Sequence, residues 1–569
     1  MIRETTRTAS AGGGAAAADG GHARSDVRSL ARGGVLNLVA SGTGQVFAFL
    51  MTILVTRGLG AHGAGAFFEV VGLFTILSNS VRLGADTGMV RAVSSRMALG
   101  HSDDLRRLVR VALGPVLLFG VLIAAATWAL GPQLAGVFLH GAGEGEGATA
   151  IRVLAFFLPL VAVTIVALSG TRGFGTMLPY AMIENFGKPL ARLVLVAVVL
   201  AVGLGSVAAL VAWAIPVAVG FVAALWVLLR LVHRAEAGAV PAPAGTATAT
   251  TAASAASAAS AVSPAAVPAE PVGTRASRHL ASQFWRFAAP RGIAGIFQVT
   301  VLWLDVLLVG ALRSTREAGI YAAASKLALV GTLATEAVRI AIAPQISALL
   351  TRGEHGRAES VYQVATWWIM TLCWPLYLAL MVFGGVVLRI FGAEFAAGSG
   401  ALLVLSLAML VDLSTGNVTV MLLMGGKSSW NLLNALGALV LNVGLNLLLL
   451  PRIGITGAAI AWAASILFEN VAAIVELRIL LRLNPFGPGW WLAAGQATLC
   501  FAGLGLLART VLGNTLPSLV IFALVATPLY LWLVWRVRGV LQLDALREAI
   551  RARRGGAATD EQDGPQEAT

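Results

Sequence analysis

Apolar runs of about 20 residues recur along the whole chain, and a helix needs that length to cross a bilayer. The run from Asn446 to Ser465 (NLLLLPRIGITGAAIAWAAS) is the sharpest case. One apolar helix ends there at Pro451, a tight turn follows, and a second apolar helix starts at once. Gly457, Ala458, Ala459 and Ala461 give that second helix a small-residue face, which lets helices approach closely in lipid. Only 12% of the 569 residues are charged, against roughly 25% in a soluble domain. With 58% hydrophobic residues and a mean hydropathy of +0.83, the chain reads as an all-α polytopic membrane protein.

The 20-residue criterion marks about fourteen spans: 35–56, 64–84, 108–131, 150–170, 188–205, 206–231, 287–311, 318–343, 362–388, 398–423, 431–450, 455–480, 490–511 and 515–536. With the amino terminus in the cytoplasm, about thirty of the Lys and Arg residues lie inside and about seven outside, a strong positive-inside bias. The expected site is the cytoplasmic membrane, with both termini cytoplasmic. The formal charge of +13 is topological, so no nucleic-acid partner is expected. Trp285, Trp367, Trp368, Trp490, Trp491 and Trp535 read as an interfacial belt. Cys373 and Cys500 fall inside apolar helices and read as packing residues.

The expected organisation is a disordered cytoplasmic arm (1–34), an N-lobe of six spans (35–234) and a flexible cytoplasmic linker (235–282). A C-lobe of six spans (283–483), two further spans (484–538) and a cytoplasmic tail (539–569) follow. The linker is rich in Ala, Ser, Thr and Pro and cannot bury enough surface to fold. A weak internal repeat relates the lobes. Gly65 precedes Arg82 by the interval at which Gly319 precedes Glu336, and VAALVAW ending at Trp213 echoes GAAIAW ending at Trp462. Repeats of six spans run parallel, a plan that puts a substrate site between the halves.

Charged residues inside spans are expensive and mark pathways or cavities. Those singled out are Arg82, Asp86, Asp305, Lys326, Glu336, Arg339, Asp412 and Glu469, with Arg172 and Glu184 near a cytoplasmic mouth. Lys326 has no partner within its own helix turn and reads as a cavity cation. Asp305 reads as its partner across an interface or as a proton site. Glu336 and Arg339 stand i,i+3 and can pair on one face, as Arg82 and Asp86 can at i,i+4. Asp412 and Glu469 each stand alone, as ion-coupling sites or as packed polar residues. No phosphate-binding Gly-rich loop ends in Lys-Ser/Thr, and the histidines do not cluster at metal spacing. The outside charges (Glu144, Glu146, Arg313, Arg316, Arg389, Glu394) are scattered, which argues against an external catalytic centre. The chain therefore reads as a transporter rather than an enzyme, with no cofactor or metal.

Several strings together resemble the polysaccharide exporter and O-antigen flippase family of the multidrug/oligosaccharidyl-lipid/polysaccharide (MOP) flippases. They are TRGLG from Thr56, GAF from Gly65, Arg82 to Arg91, DVLLVG from Asp305, EAGIYAAASK from Glu317, APQIS from Ala343, FGAEF from Phe391 and the hairpin at 446–465. The resemblance spans roughly 35–483. It implies two six-helix lobes in a V around a central cavity and alternating access; the two C-terminal helices are an addition to that plan. It implies flipping of a lipid-linked, undecaprenyl-diphosphate-type oligosaccharide for cell-surface polysaccharide biosynthesis. Membrane lipids are the surroundings, and a polysaccharide polymerase or glycosyltransferases are candidate partners. On this reading Lys326, Arg339, Glu336, Asp305, Arg82 and Arg172 line the substrate cavity, while Asp305, Asp412 and Glu469 serve H+ or Na+ coupling. The alternatives within the superfamily are a peptidoglycan lipid-precursor flippase and a cation-coupled drug antiporter; a polysaccharide polymerase or ligase is the enzymatic one. Fourteen spans exceed the commoner twelve of the exporters. Span one carries no carboxylate, against the drug-extruding branch.

Overall fold

The computed structural model describes residues 11–100, 104–139, 144–238, 274–416, 418, 421–422 and 428–540. The described residues form helices and connections, with no strand among them. In order these are α1 (Ala11–Arg82), α2 (Ala85–Ala98), α3 (Leu105–Ala129), α4 (Gly131–Phe138), α5 (Glu144–Ala155) and α6 (Leu158–Gly173). A π-helical stretch, Ala181–Gly187, leads into α7 (Lys188–Ala201), and α8 is Ser206–Glu236. Next come α9 (Thr274–Leu312), α10 (Thr315–Ala328), α11 (Thr332–Thr351), α12 (His355–Leu388) and α13 (Ser399–Ser414). The last are α14 (Ser428–Ile453), α15 (Ile455–Leu480), α16 (Pro488–Ala497), α17 (Leu504–Leu512) and α18 (Leu516–Arg536).

Among the described residues eleven helical stretches are long and apolar enough to cross a membrane, and the chain is a multi-pass membrane protein. The expected fourteen differ from these at three places. The spans at 35–56 and 64–84 run on into each other within α1, broken only at Gly60, whose φ of 67° a glycine adopts without strain. The span at 188–205 is represented by the 14 residues of α7. The span at 318–343 is interrupted between α10 and α11. Tyr377 fills that interruption. Its hydroxyl donates to the Ala328 carbonyl at 2.6 Å and accepts from the Gly331 N–H at 3.0 Å. Broken helices survive in lipid only where the freed backbone groups find such partners.

The chain packs as two compact units, Met1–Lys326 with Ala435–Ala461, and Leu327–Asn434 with Trp462–Thr569. Within the first unit the second limb of α1 lies antiparallel along α9. Gly72 faces the Trp303 ring, Asn79 donates to the Gly295 carbonyl at 2.8 Å, and Gly84 and Gly88 face Ala288. At Leu83 and Gly84 the backbone turns left-handed (φ 45° and 76°), ending α1 where Gly292 presses on it. At the other end of the seam the contact is reciprocal. A β-carbon on Gly65 would strike the Thr315 carbonyl, and one on Gly319 would strike the Ala61 carbonyl. Gly65 and Gly319 are repeat-related positions, as are Ala61 and Thr315. Such self-matching is what a two-fold axis between repeats produces.

The hairpin at 446–465 runs differently from its sequence reading. α14 continues through Pro451 to Ile453, and the turn is the single residue Gly454 at φ 63°. Gly457 then lies against Leu449, and Ala458, Ala459 and Ala461 are fully buried. Helix also enters segments expected to be irregular, since α1 starts at Ala11 and α9 at Thr274. Residues 239–273 of the expected linker and the tail from 541 lie outside the described residues. In the second unit, Trp367 and Trp490 are packing residues rather than belt residues. Gly487 and Gly489 close on Trp367, and Trp490 donates to the Ser414 carbonyl at 2.9 Å. Trp491 and Trp535 are exposed.

Gly65→Val inserts atoms where the Thr315 backbone stands, and overpacking of this kind costs about 1–3 kcal/mol. The expected outcome is a thermal unfolding midpoint in detergent lower by about 2–4 °C. Gly444→Ala, with open space around its β-carbon, should leave the midpoint within about 1 °C.

Candidate functional site

Three polar groups are buried in the helices. The first gathers where α1, α6 and the π-helical stretch end, inside the first unit. The Arg82 guanidinium at the end of α1 donates to Asn79 Oδ1 and stands 3.5 Å from Asp86 Oδ2. Arg172, at the end of α6, stacks over the Tyr180 ring with 5.1 Å to its centroid. Glu184 lies in the π-helical stretch, whose irregular turns recur at functional sites. Its carboxylate pairs with Lys188 one turn on, and Arg192 and Arg82 are its further electrostatic neighbours. Tyr180 lies within the fields of Glu184, Arg172, Arg82 and Asp86, which ties the group together. Arg192 is fixed below it, its guanidinium 3.6 Å from the Trp213 ring centroid and its Nε donating to the Trp213 carbonyl at 3.0 Å.

The group holds four cations (Arg82, Arg172, Lys188, Arg192) and two carboxylates (Asp86, Glu184), a formal excess of two positive charges. The Nε–H donors of Arg82 and Arg172 are buried with no hydrogen-bond acceptor. Buried donors are nearly always satisfied, so these two point to an acceptor that arrives with a ligand. Guanidinium forks suit phosphate oxygens.

The second group lies deeper in the first unit. Asp305, on α9, is 2% exposed. Its Oδ1 accepts from Asn446 Nδ2 at 2.8 Å and its Oδ2 from the Tyr321 hydroxyl at 3.1 Å. Asn446 Nδ2 also donates to Asn442 Oδ1 at 3.2 Å. The expected Asp305–Lys326 pair is thus not formed. Lys326 instead places Nζ 4.2 Å from the centroid of the Trp303 ring, and among the described residues no carboxylate lies within salt-bridge distance of it. Trp303 serves two repeat-related positions, since Gly72 packs on the same ring.

The third group is in the second unit. Asn470 Nδ2 donates to Asp412 Oδ1 at 2.9 Å, and the Thr415 hydroxyl donates to Asn470 Oδ1 at 2.6 Å. Glu469 is an electrostatic neighbour of Asp412, so the two carboxylates read from sequence as solitary share one neighbourhood. Glu336 is exposed on α11. The side chains of Arg339 and Glu144 lie outside the described ones.

Of the expected substrate residues the structure gathers Arg82 and Arg172, with Glu184, into one group, and sets Asp305 and Lys326 apart. Sequence reading passed over Lys188 and Arg192 as site residues and missed Glu69 altogether. Glu69 stands inside the span at 64–84, so the rule that singled out Asp305 applied to it as well.

A family model described as polysaccharide biosynthesis protein matches residues 30–350, more than half of the chain. The chain belongs to that family. Among curated proteins, this family member is 27% identical over 248 residues to the probable low-salt glycan biosynthesis flippase Agl15 of Haloferax volcanii. The match covers 42% of this chain and half the length of that relative. Among solved structures, the lipid II flippase MurJ in an inward closed conformation matches with a TM-score of 0.64 at 10% identity, over 89% of this chain and all of that one. An inward-facing multidrug resistance MATE transporter of the MOP superfamily matches with a TM-score of 0.58 at 15% identity, over 79% of this chain and 98% of that one. At these identities the structural likeness establishes the helical fold alone. These relatives are named as flippases and transporters, not enzymes.

Lys188→Met removes the partner of a buried carboxylate. Breaking a buried pair from one side costs about 3–5 kcal/mol, so its unfolding midpoint should fall clearly. The double variant Glu184→Gln/Lys188→Met should recover most of the loss, read as a double-mutant cycle of thermal midpoints.

Proposed function

We propose that the protein is a flippase that moves a lipid-linked, diphosphate-bearing oligosaccharide from the cytoplasmic to the external leaflet by alternating access. The carrier is of the undecaprenyl type, and the product feeds cell-surface polysaccharide biosynthesis. The observation that carries the reading is the first group: an excess of two positive charges, with two guanidinium donors left without acceptors. A diphosphate satisfies both the charge and the donors, and in a low-dielectric site the attraction is far stronger than in water. On the positive-inside orientation this group lies toward the cytoplasm, where such a lipid is loaded. Both termini are then cytoplasmic. Family membership and the Agl15 relative support a role in glycan export, and a polymerase or glycosyltransferase is the natural neighbour on either side of the step.

In this reading Arg82 and Arg172 grip the diphosphate, Lys188 and Arg192 supply field, and Glu184 holds Lys188 in place. Lys326 meets the substrate later, if it leaves Trp303. Energy enters through H+ or Na+ at buried carboxylates, with Asp305 in the first unit and Asp412 beside Glu469 in the second as the candidates.

The test is leaflet exchange of a fluorescent undecaprenyl-diphosphate oligosaccharide in proteoliposomes. Loss of a charged hydrogen bond is worth about 1.5–3 kcal/mol, so Arg82→Ala and Arg172→Ala should each slow exchange about 10- to 100-fold. Lys326→Ala should slow it less. Unchanged exchange in both arginine variants would sink the assignment of the diphosphate site.

A further inference from the structure

Glu69 is 1% exposed, and neither of its carboxylate oxygens has a hydrogen-bond partner. It sits on the second limb of α1, one turn from Gly65 and one from Gly72, on the stripe that forms the seam with α9 and α10. Its Oε1 lies where a β-carbon of Gly310 would be, and the Phe138 carbonyl crowds the same point at 2.6 Å from it. The Thr315 side chain is within hydrogen-bonding reach of the carboxyl, at a geometry short of a formed bond.

Among the described residues no charge comes near from the elements packed there; His140, two residues beyond Phe138, and the Glu144 side chain on α5 lie outside them. On α9, Asp305 is held by Asn446 and Tyr321. At the start of α10, Arg313 is paired with Glu317 at 3.2 Å and Arg316 is exposed. Farther along α10, Lys326 lies on Trp303. α4 has no charged residue. On α5, Arg152 is bound to the Trp128 carbonyl and Glu146 is exposed. On α1 itself, His62 is exposed. An ionised Glu69 in this packing would be a buried charge crowded by a carbonyl oxygen, with only the Thr315 side chain among its described neighbours to meet it. That arrangement is very costly, whereas the protonated acid is neutral and can donate.

We propose that Glu69 is a proton-binding site that latches the seam between α1 and the α9–α10 hairpin: the seam closes with Glu69 protonated and opens when the proton leaves. In the closed seam the neutral acid is shut away from water, in the space that Gly310 leaves open. On opening, water reaches the carboxyl, which releases one proton and becomes a carboxylate that the closed seam does not accept. Closing again requires one proton to return to the same oxygen pair. The inference rests on the proposed function only for orientation, which puts this end of the seam outside. The repeat-related position to Glu69 is Ala323, so a single proton operates the latch.

The test uses the full chain in lipid nanodiscs, with spin labels at His62→Cys and Leu312→Cys, and reads label distances from acid to alkaline pH. With Glu69 intact, a short-distance population should dominate in acid. Its ratio to the long-distance population should fall about tenfold per pH unit above the midpoint, the slope of one proton. Glu69→Gln, neutral at every pH, should hold the short distance throughout. Infrared spectra of the chain with Glu69 intact should show a protonated-carboxyl band that titrates with the same midpoint and is missing from Glu69→Gln. Distances independent of pH with Glu69 intact, or a pH response surviving in Glu69→Gln, would overturn the proposal. So would a carboxyl band that does not follow the distances, a criterion that needs no Glu69 variant to fold. Neither readout uses a glycan, so failure of the flipping assay and failure of the latch are separate results.

Discussion

The close approach of the second limb of α1 to α9 organises the first unit. In lipid, apolar side chains gain little by exchanging lipid contacts for one another, so helices hold together by backbone proximity and the few polar contacts it permits. Here Gly65, Gly72, Gly84 and Gly88 on one side meet Thr315, Trp303 and Ala288 on the other. Everything else of interest in that unit hangs from this line. The cation group forms where α1 ends in its left-handed turn, and Lys326 and Trp303 meet along the seam. Glu69 is held in it because Gly310 has no side chain to exclude the carboxylate.

Much of this was legible in the sequence. Span lengths made the chain a polytopic membrane protein, and the motif order pointed to its family. The faint repeat anticipated that Gly65 and Gly319 are equivalent. What the sequence could not supply was azimuth. Hydropathy reports the depth of a residue but not which neighbour it faces, so Asp305 and Lys326, at compatible depths, looked like partners. In fact Asp305 turns to Asn446 and Tyr321. The same limit hid the gathering of Arg82, Arg172 and Lys188, which come from separate helices. Glu69 was hidden by its company, because Phe67, Phe68, Val70 and Val71 read as undisturbed apolar helix. The tryptophans at 367 and 490 misled for the opposite reason: they stand near helix ends, but glycines at 487 and 489 close on Trp367, and the Ser414 carbonyl holds Trp490.

The three polar groups differ in how complete they are. Asp305 and Asp412 are each met by an asparagine amide from a neighbouring helix, which holds the carboxylate even though Asn446 Oδ1 and Asn442 Nδ2 are themselves left open. The arginine group has guanidinium donors that lack acceptors, and neither oxygen of Glu69 has a formed hydrogen bond. Charged groups left incomplete in this way are where binding and motion concentrate, and these two lie in the first unit.

The break between α10 and α11 has a consequence for how the sequence can change. One phenol oxygen serves the carbonyl of residue 328 and the amide of residue 331, and Gly331 is bare so that the ring can reach them. Replacing Tyr377 strands two backbone groups in hydrocarbon, while adding a side chain at 331 evicts the ring. The two positions are therefore coupled: a change at either one disturbs the same pair of hydrogen bonds.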